Sequence, residues 1–230
     1  MASFSAAKQS SEREHDRGAK FTTRNQILAG LLFAFGFPML PISRWEHEFA
    51  GVWRLVAYDV IWWAAVGVTL LYVHFVERRP LTSIGFHGIT WRGIAIAIGA
   101  AAVMVGGLAF IYYVIFPAFH MDESSEIHKL LSTPLWWLVI STVRAGVSEE
   151  VLYRGYAMER LGELTGSRTL AGMVSCALFA FAHVGPWGWP HLLVAGFGGA
   201  VLTVLYLWRG NLWVNIVTHI IVDGVGVLAG

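Results

Sequence analysis

Runs of about twenty apolar residues recur along most of this chain, and they constrain its fold more than any other feature. The hydrocarbon core of a bilayer is about 30 Å thick, and a helix needs about 20 apolar residues to cross it. Seven segments qualify, at about 25–43, 52–76, 93–116, 135–157, 168–186, 190–208 and 211–229. Inside hydrocarbon every backbone polar group must be satisfied within the segment, and a helix does this. Only 13% of the 230 residues are charged, against about 25% in soluble domains. The expected fold class is therefore all-α: a polytopic membrane helix bundle with about seven transmembrane helices. Pro38 and Pro41 predict an irregular end to the first span. The last three segments are separated by little polar sequence, so they should be tightly connected antiparallel helices. A merger or a re-entrant segment among them is the alternative.

Residues 1–24 are polar and mixed in charge (Lys8, Glu12, Arg13, Glu14, Asp16, Arg17, Lys20 and Arg24), which predicts a cytoplasmic tail ahead of a membrane domain at 25–230. This tail is too long and too acidic for the n-region of a secretory signal. With the N-terminus inside, Arg78, Arg79, Arg92, Arg160, Arg168 and Arg209 fall on the cytoplasmic side, and only Arg44, Arg54 and Lys129 fall outside. The positive-inside rule thus predicts a cytoplasmic N-terminus. Trp45, Trp53, Trp91, Trp136, Trp137, Trp187 and Trp189 lie near span ends and read as interfacial anchors. Residues 118–133 are polar and read as a surface helix or an external loop. Small residues at 195–200, and Ala102 with Gly106, read as helix-packing faces. A net charge of +1 gives no field to recruit nucleic acid. The single cysteine, Cys176, rules out a disulfide framework or a cysteine-based zinc site.

Against this background, a few ionisable groups stand in apolar segments: Glu149-Glu150-x-x-x-Arg154, His183, and His219-x-x-x-Asp223. Each charge placed alone at the bilayer centre costs roughly 2.5–3.5 kcal/mol on insertion scales, so such groups must face one another or a wet cavity. Glu150 and Arg154 are four apart and share a helix face, with Glu149 about 100° around the helix. The bland reading is an ion pair with a spare acid; the functional one is a carboxylate poised to take a proton from water. His183 ends an apolar run, Phe179-Ala180-Phe181-Ala182-His183, and alone reads most simply as a satisfied core histidine. Asn215, His219 and Asp223 form one polar stripe, suited to binding a metal, relaying a proton, or bonding helices together. His191, at the mouth of the sixth span, fits the bonding or interface reading.

Taken in order, these motifs resemble those of the CAAX protease and bacteriocin-processing family, also called the abortive-infection family. Its eukaryotic relatives are the type II CAAX prenyl endopeptidases. Ser148-Glu149-Glu150-Val151-Leu152-Tyr153-Arg154-Gly155 is similar to the family's first motif, and Leu178-Phe179-Ala180-Phe181-Ala182-His183 to its second. Asn211-Leu212-Trp213-Val214-Asn215-Ile216-Val217-Thr218-His219 with Asp223 is similar to the third, and Pro80 to Phe86 looks like a further family feature. The resemblance covers about 135–230. It implies an intramembrane endopeptidase with its active site in the bundle core, acting on peptides or membrane-anchored proteins. The implied catalytic residues are Glu149, Glu150, Arg154, His183, His219 and Asp223. Glu149, helped by His183, would activate water; Glu150 and Arg154 would hold the geometry; His219 would stabilise the oxyanion, with Asp223 supporting it. Two residues depart from the pattern. Tyr153 stands where Phe is common, and Asp223 where the prenyl endopeptidases tend to have Asn. An ionised Asp cannot donate to an oxyanion.

Several readings compete with this one. Two histidines and a glutamate (Glu149, His183 and His219) are a common catalytic zinc set. The His-Glu-x-x-His pattern is absent, and metal-independent catalysis without a cofactor is the favoured expectation. A non-proteolytic scaffold or immunity protein would use the same residues as interhelical glue, scattered in separate pairs; an enzyme would gather them. A transporter would call for repeated halves with broken helices, and none is evident. The expected location is the lipid bilayer of a prokaryotic plasma membrane.

Overall fold

Thr23 starts the first helix. Its hydroxyl accepts from the Gln26 backbone N–H while the Gln26 side chain accepts from the Thr23 N–H, a capping box that satisfies two otherwise unpaired donors. Helix α1 then runs Arg24–Gly36 and ends in a 3-10 turn, Phe37–Met39, at Pro38, as the proline predicts. The computed structural model describes residues 22–40 and 51–229. Nearly all of the expected tail at 1–24, along with Pro41, Arg44 and Trp45, lies outside the described residues.

Helix α2 (Val52–Leu71) widens into a π-helical turn, Tyr72–Val76. Helix α3 (Trp91–Phe110) starts on the Thr90 hydroxyl, which accepts from Gly93 N–H, and continues through a π-helical turn, Ile111–Ile115, to Phe116–Ala118. The polar segment after it holds a short surface helix, α4 (Ser124–Leu131). Helix α5 has three parts: Leu135–Glu149, a nine-residue π-helix at Glu150–Met158, and Glu159–Thr165. Helix α6 (Arg168–Ala182) is capped by Ser167 and leads through a turn, Val184–Trp187, into α7 (His191–Arg209) and then α8 (Leu212–Ala229). No strand occurs among the described residues. Over its described residues the protein is an all-helical integral membrane protein.

Helices coincide with all seven apolar segments, although the number of spans is smaller by length and apolarity. Among the described residues, four helical stretches are long and apolar enough to cross a membrane: Val52–Val76, Trp91–Ala118, Arg168–Trp187 and His191–Arg209. A fifth passes only if α4 and α5, bent by 114° at their junction, count as one. Helix α1 has 13 residues and α8 is a shorter apolar helix, so seven spans are not established. Large apolar side chains face outward along these helices, among them Leu32, Phe75, Ile98, Val103, Met173 and Val204. Lipid would satisfy such a surface; water would not.

Packing follows the small residues, though not everywhere they were expected. Helices α6 and α7 pack along their length, as do α3 with α8 and α5 with α8. At Gly199 an added Cβ would sit 2.9 Å from the Phe179 ring, so glycine is what allows α7 to approach α6 this closely. Gly198 fits against Met104 in the same way. Ala102 and Gly106 are exposed, and nothing lies within 4 Å of a Cβ built at Gly106. The packing glycine of α3 is instead its neighbour Gly107, which accommodates the Phe197 ring. Among the tryptophans, Trp53, Trp91, Trp136 and Trp189 face outward as anchors should, while Trp137 is buried and donates to the Leu55 carbonyl.

Several of the charges used to orient the chain turn out to have partners. Arg160 is fully buried: its Nε and Nη2 both donate to Glu77 Oε2, at 2.8 and 2.6 Å, and it also donates to the Ser83 carbonyl and hydroxyl. Arg79 pairs with Glu163 at 2.6 Å. These contacts bring the ends of α2 and α5 together with the 80–86 segment. That segment forms a 3-10 turn, Leu81–Ile84, closed by Gly85 at φ 85°, whose carbonyl accepts from Leu212 N–H at 2.8 Å. The family-like stretch before α3 thus ties α5 to the start of α8. A second buried pair, Arg144 Nε with Asp59 Oδ1 at 2.8 Å, joins α5 to α2, and the Arg144 guanidinium lies over the rings of Tyr58 and Trp62.

Candidate active site

The π-helical part of α5 begins at Glu150, and wide turns of this kind are often found at functional sites. The two adjacent carboxylates have different surroundings. Glu150 is fully buried and accepts three hydrogen bonds: from Arg154 Nη1 at 2.8 Å, His219 Nδ1 at 2.9 Å and Asn215 Nδ2 at 3.1 Å. Glu149 keeps 14% of its side chain exposed, and its Oε2 lies 3.7 Å from His183 Nε2 and 3.8 Å from His219 Nε2. Those spacings exceed a direct hydrogen bond and have room for a bridging group.

Arg154 is fully buried and held on three sides. Besides Glu150, its Nη2 donates to the Gly199 carbonyl at 3.0 Å, and its guanidinium carbon lies 4.3 Å from the Phe179 ring centroid. The Gly199 contact depends on the close approach of α7, which a Cβ at that glycine would push against. Phe179 packs edge-on to Tyr153 and contacts His183 and His219, so the aromatic residue of the second motif is the hub that the other motifs pack around.

The histidine tautomers follow from their partners. His183 Nδ1 lies 2.8 Å from the Phe179 carbonyl, which can only accept, so Nδ1 carries the hydrogen and Nε2 faces Glu149. His219 Nδ1 donates to Glu150, and its Nε2 faces both Glu149 and Asp223 Oδ2, the latter at 3.6 Å. Asp223 is 35% exposed and the most open of the six residues. All six expected residues thus belong to one connected cluster between α5, α6 and α8, backed by α7. Asn215 joins it from the same stripe as His219 and also donates to the Leu202 carbonyl at 2.7 Å.

At the outer edge of the cluster the structure adds residues that sequence reading did not assign to it. His191, expected to be interface or glue, stacks on His183, and Glu123 accepts from it. Nothing in the spacing of Glu123, an acid in a polar connecting segment, marked it out. Its burial is visible only in three dimensions. For zinc, no group of three or more His, Cys, Asp or Glu side chains among the described residues is placed to hold a metal ion.

A helical membrane protein with carboxylates and imidazoles gathered at the centre of its bundle is one class of molecule; the comparisons narrow it. Residues 131–225 match the family model described as "Type II CAAX prenyl endopeptidase Rce1-like", so the family resemblance carried by the three motifs holds over this stretch. The chain is also similar to "Uncharacterized protein YpbD" of Bacillus subtilis (strain 168), at 26% identity over 138 residues, 60% of this chain and 66% of that protein. It therefore spans just under two thirds of that relative's length. No solved structure matches the chain.

Proposed function

We propose that the protein is an intramembrane endopeptidase that cuts membrane-associated peptides or proteins with a glutamate-activated water. The observation that carries this reading is the convergence of Glu149 Oε2 with His183 Nε2 and His219 Nε2, at 3.7 and 3.8 Å. A scaffold would need these polar groups only as separate pairs.

In this mechanism a water donates one hydrogen to Glu149 and the other to the bare Nε2 of His183. Glu149 takes the proton as general base while the water oxygen attacks the scissile carbonyl, a role typically worth 10²–10⁴-fold. The tetrahedral oxyanion then forms next to His219. Because Nδ1–H of His219 is committed to Glu150, donation from Nε2 requires the doubly protonated ring. The carboxylates of Glu149, Glu150 and Asp223 surround that cation, so Asp223 supports the imidazolium and does not itself donate to the oxyanion. Glu149 then passes its proton to the leaving amine. Preorganised donors of this kind each contribute about 2.7–4 kcal/mol of barrier. No step is routed through a metal. The cytoplasmic N-terminus and the prokaryotic plasma membrane belong to the same proposal.

The test compares membrane and secreted peptides, and cleavage of a quenched-fluorescent farnesylated CAAX peptide, between parent and Glu149→Ala. Loss of specific cleavage products in the variant is expected. Intact cleavage of an identified substrate by Glu149→Ala would overturn the mechanism.

A further inference from the structure

The segment from 119 to 134 is polar and mostly exposed, yet its one buried residue is a carboxylate, Glu123, at 4% exposure. A buried charge of this kind is retained only when it is bonded. The two oxygens of Glu123 are used separately: Oε1 accepts from the Tyr112 hydroxyl, and Oε2 accepts from His191 Nδ1 at 3.1 Å. Neither partner carries a fixed positive charge, so no salt bridge with Lys or Arg explains why this carboxylate is inside.

What Glu123 holds is one layer of a pile of flat rings. His191, the first residue of α7, stacks on Trp187 with centroids 4.9 Å apart and planes 15° apart. Its ring also stacks on His183, at 5.7 Å and 17°. His183 in turn lies 4.5 Å from Phe179 and presents Nε2 to Glu149. The turn between α6 and α7, with Gly185, Pro186, Gly188 and Pro190, therefore meets the catalytic centre through stacked ring faces as well as through the Trp187 N–H, which donates to the His183 carbonyl at 3.1 Å. Beside this pile lies a cleft of about 450 Å³, walled by Asp122, Glu123, Glu126, Pro186, Trp187 and Pro190.

We propose that Glu123 and His191 are a positioning pair for His183: Glu123 fixes the His191 ring through Nδ1–H, and the fixed ring clamps His183 with Nε2 aimed at Glu149. Without the clamp, the His183 ring keeps its hydrogen bond to the Phe179 carbonyl and the Phe179 ring on one side, and loses the ring that holds it from the other side. Misplacement of a reacting group by about 1 Å can cost as much as 10²-fold in rate. The inference rests on the peptidase reading for its kinetic consequence, though not for its structural one.

The structural test uses full-length protein labelled with [¹⁵N]histidine in nanodiscs, with His183 resonances assigned by loss in His183→Gln. A single neutral tautomer gives two well-separated ring nitrogen shifts, and exchange between tautomers draws them together. His191→Ala and Glu123→Met should draw the His183 pair together. Tyr112→Phe, which removes the other hydrogen bond of Glu123, should leave it in place. In the farnesylated CAAX peptide assay, His191→Ala and Glu123→Met should lower kcat about ten- to a hundredfold with KM within about twofold. The double variant should be no worse than either single, because the two residues act as one unit. Unchanged His183 shifts in His191→Ala would overturn the proposal, as would an equal effect of Tyr112→Phe or additive losses in the double variant. Glu149→Gln keeps the two readings apart. If it still cleaves, the peptidase mechanism fails; if it is dead while His191→Ala is fully active, the positioning pair fails.

Discussion

Glu149 and Glu150 are neighbours in the chain, yet replacing each by glutamine should damage different properties, stability at Glu150 and turnover at Glu149. In Glu150→Gln one acceptor oxygen becomes an NH₂ group facing N–H donors, in a site with no exposure at all. Arg154, equally buried, loses its counter-charge. Breaking a buried pair by removing one partner costs about 3–5 kcal/mol. A chain of this size loses about 2–4 °C of melting temperature per kcal/mol, so the midpoint should fall by roughly 6–20 °C. Glu149 is partly open and makes no hydrogen bond to His183 or His219, its neighbours at 3.7 and 3.8 Å. Glu149→Gln should shift the midpoint by less than about 1 kcal/mol's worth while lowering cleavage about 10²–10⁴-fold. The assay is thermal unfolding in detergent, followed with a thiol-reactive dye. The single, partly buried Cys176 is the only thiol the dye can reach, and only unfolding frees it fully. A Glu150→Gln protein melting within about 2 °C of its parent would refute the assignment of Glu150 and Arg154 as the structural pair. So would a Glu149→Gln protein with normal turnover.

Further outcomes follow from packing and polar satisfaction. Gly199→Ala should cost about 1–3 kcal/mol, because the new Cβ sits 2.9 Å from the Phe179 ring, and it should reduce turnover by disturbing the Arg154–Gly199 contact; thermal unfolding and the peptide assay read both. The Tyr153 hydroxyl is buried with no hydrogen-bond partner among the described residues, so Tyr153→Phe should leave stability unchanged or raise it by up to about 1–3 kcal/mol, read by the same melt. On the metal-independent reading, dialysis against a zinc chelator should leave peptide cleavage unchanged. Loss of cleavage that added zinc restores would establish the metal route instead.

More of the candidate cluster than of the bundle around it was legible in the sequence. Glu149, Glu150, Arg154, His183, His219 and Asp223 could be found because charges in apolar segments are costly and helical spacing puts them on shared faces. The helix positions were legible for the same reason, since hydrophobic runs mark helices well. Span number was harder: α1 and α8 are short, and α4 and α5 meet at a sharp bend that composition does not show. Arg160 looked like a topological charge because it sits at a span end, and only the fold brings Glu77, 83 residues away, into contact with it. Asp59 with Arg144, and Glu123 with His191, are pairings of the same long-range kind. Ala102 and Gly106 show the converse: a small-residue pattern fits a packing face, but which side of a helix meets a neighbour is decided by the neighbours.

The π-helix at Glu150–Met158 opens on one buried ion network, the Glu150 cluster, and is followed on the same helix by a second, the Arg160 cluster. Successive α-helical residues are about 100° apart, so tightening this stretch by even one residue would swing everything beyond it by about that angle. Arg160 would leave Glu77, or Glu150 would leave His219; both cannot be kept in a straight helix. The wide stretch therefore works as a set phase angle between two anchors. A one-residue insertion or deletion inside it should be far more damaging than the same change in the exposed turn at 166, where a loop between two helices can absorb it.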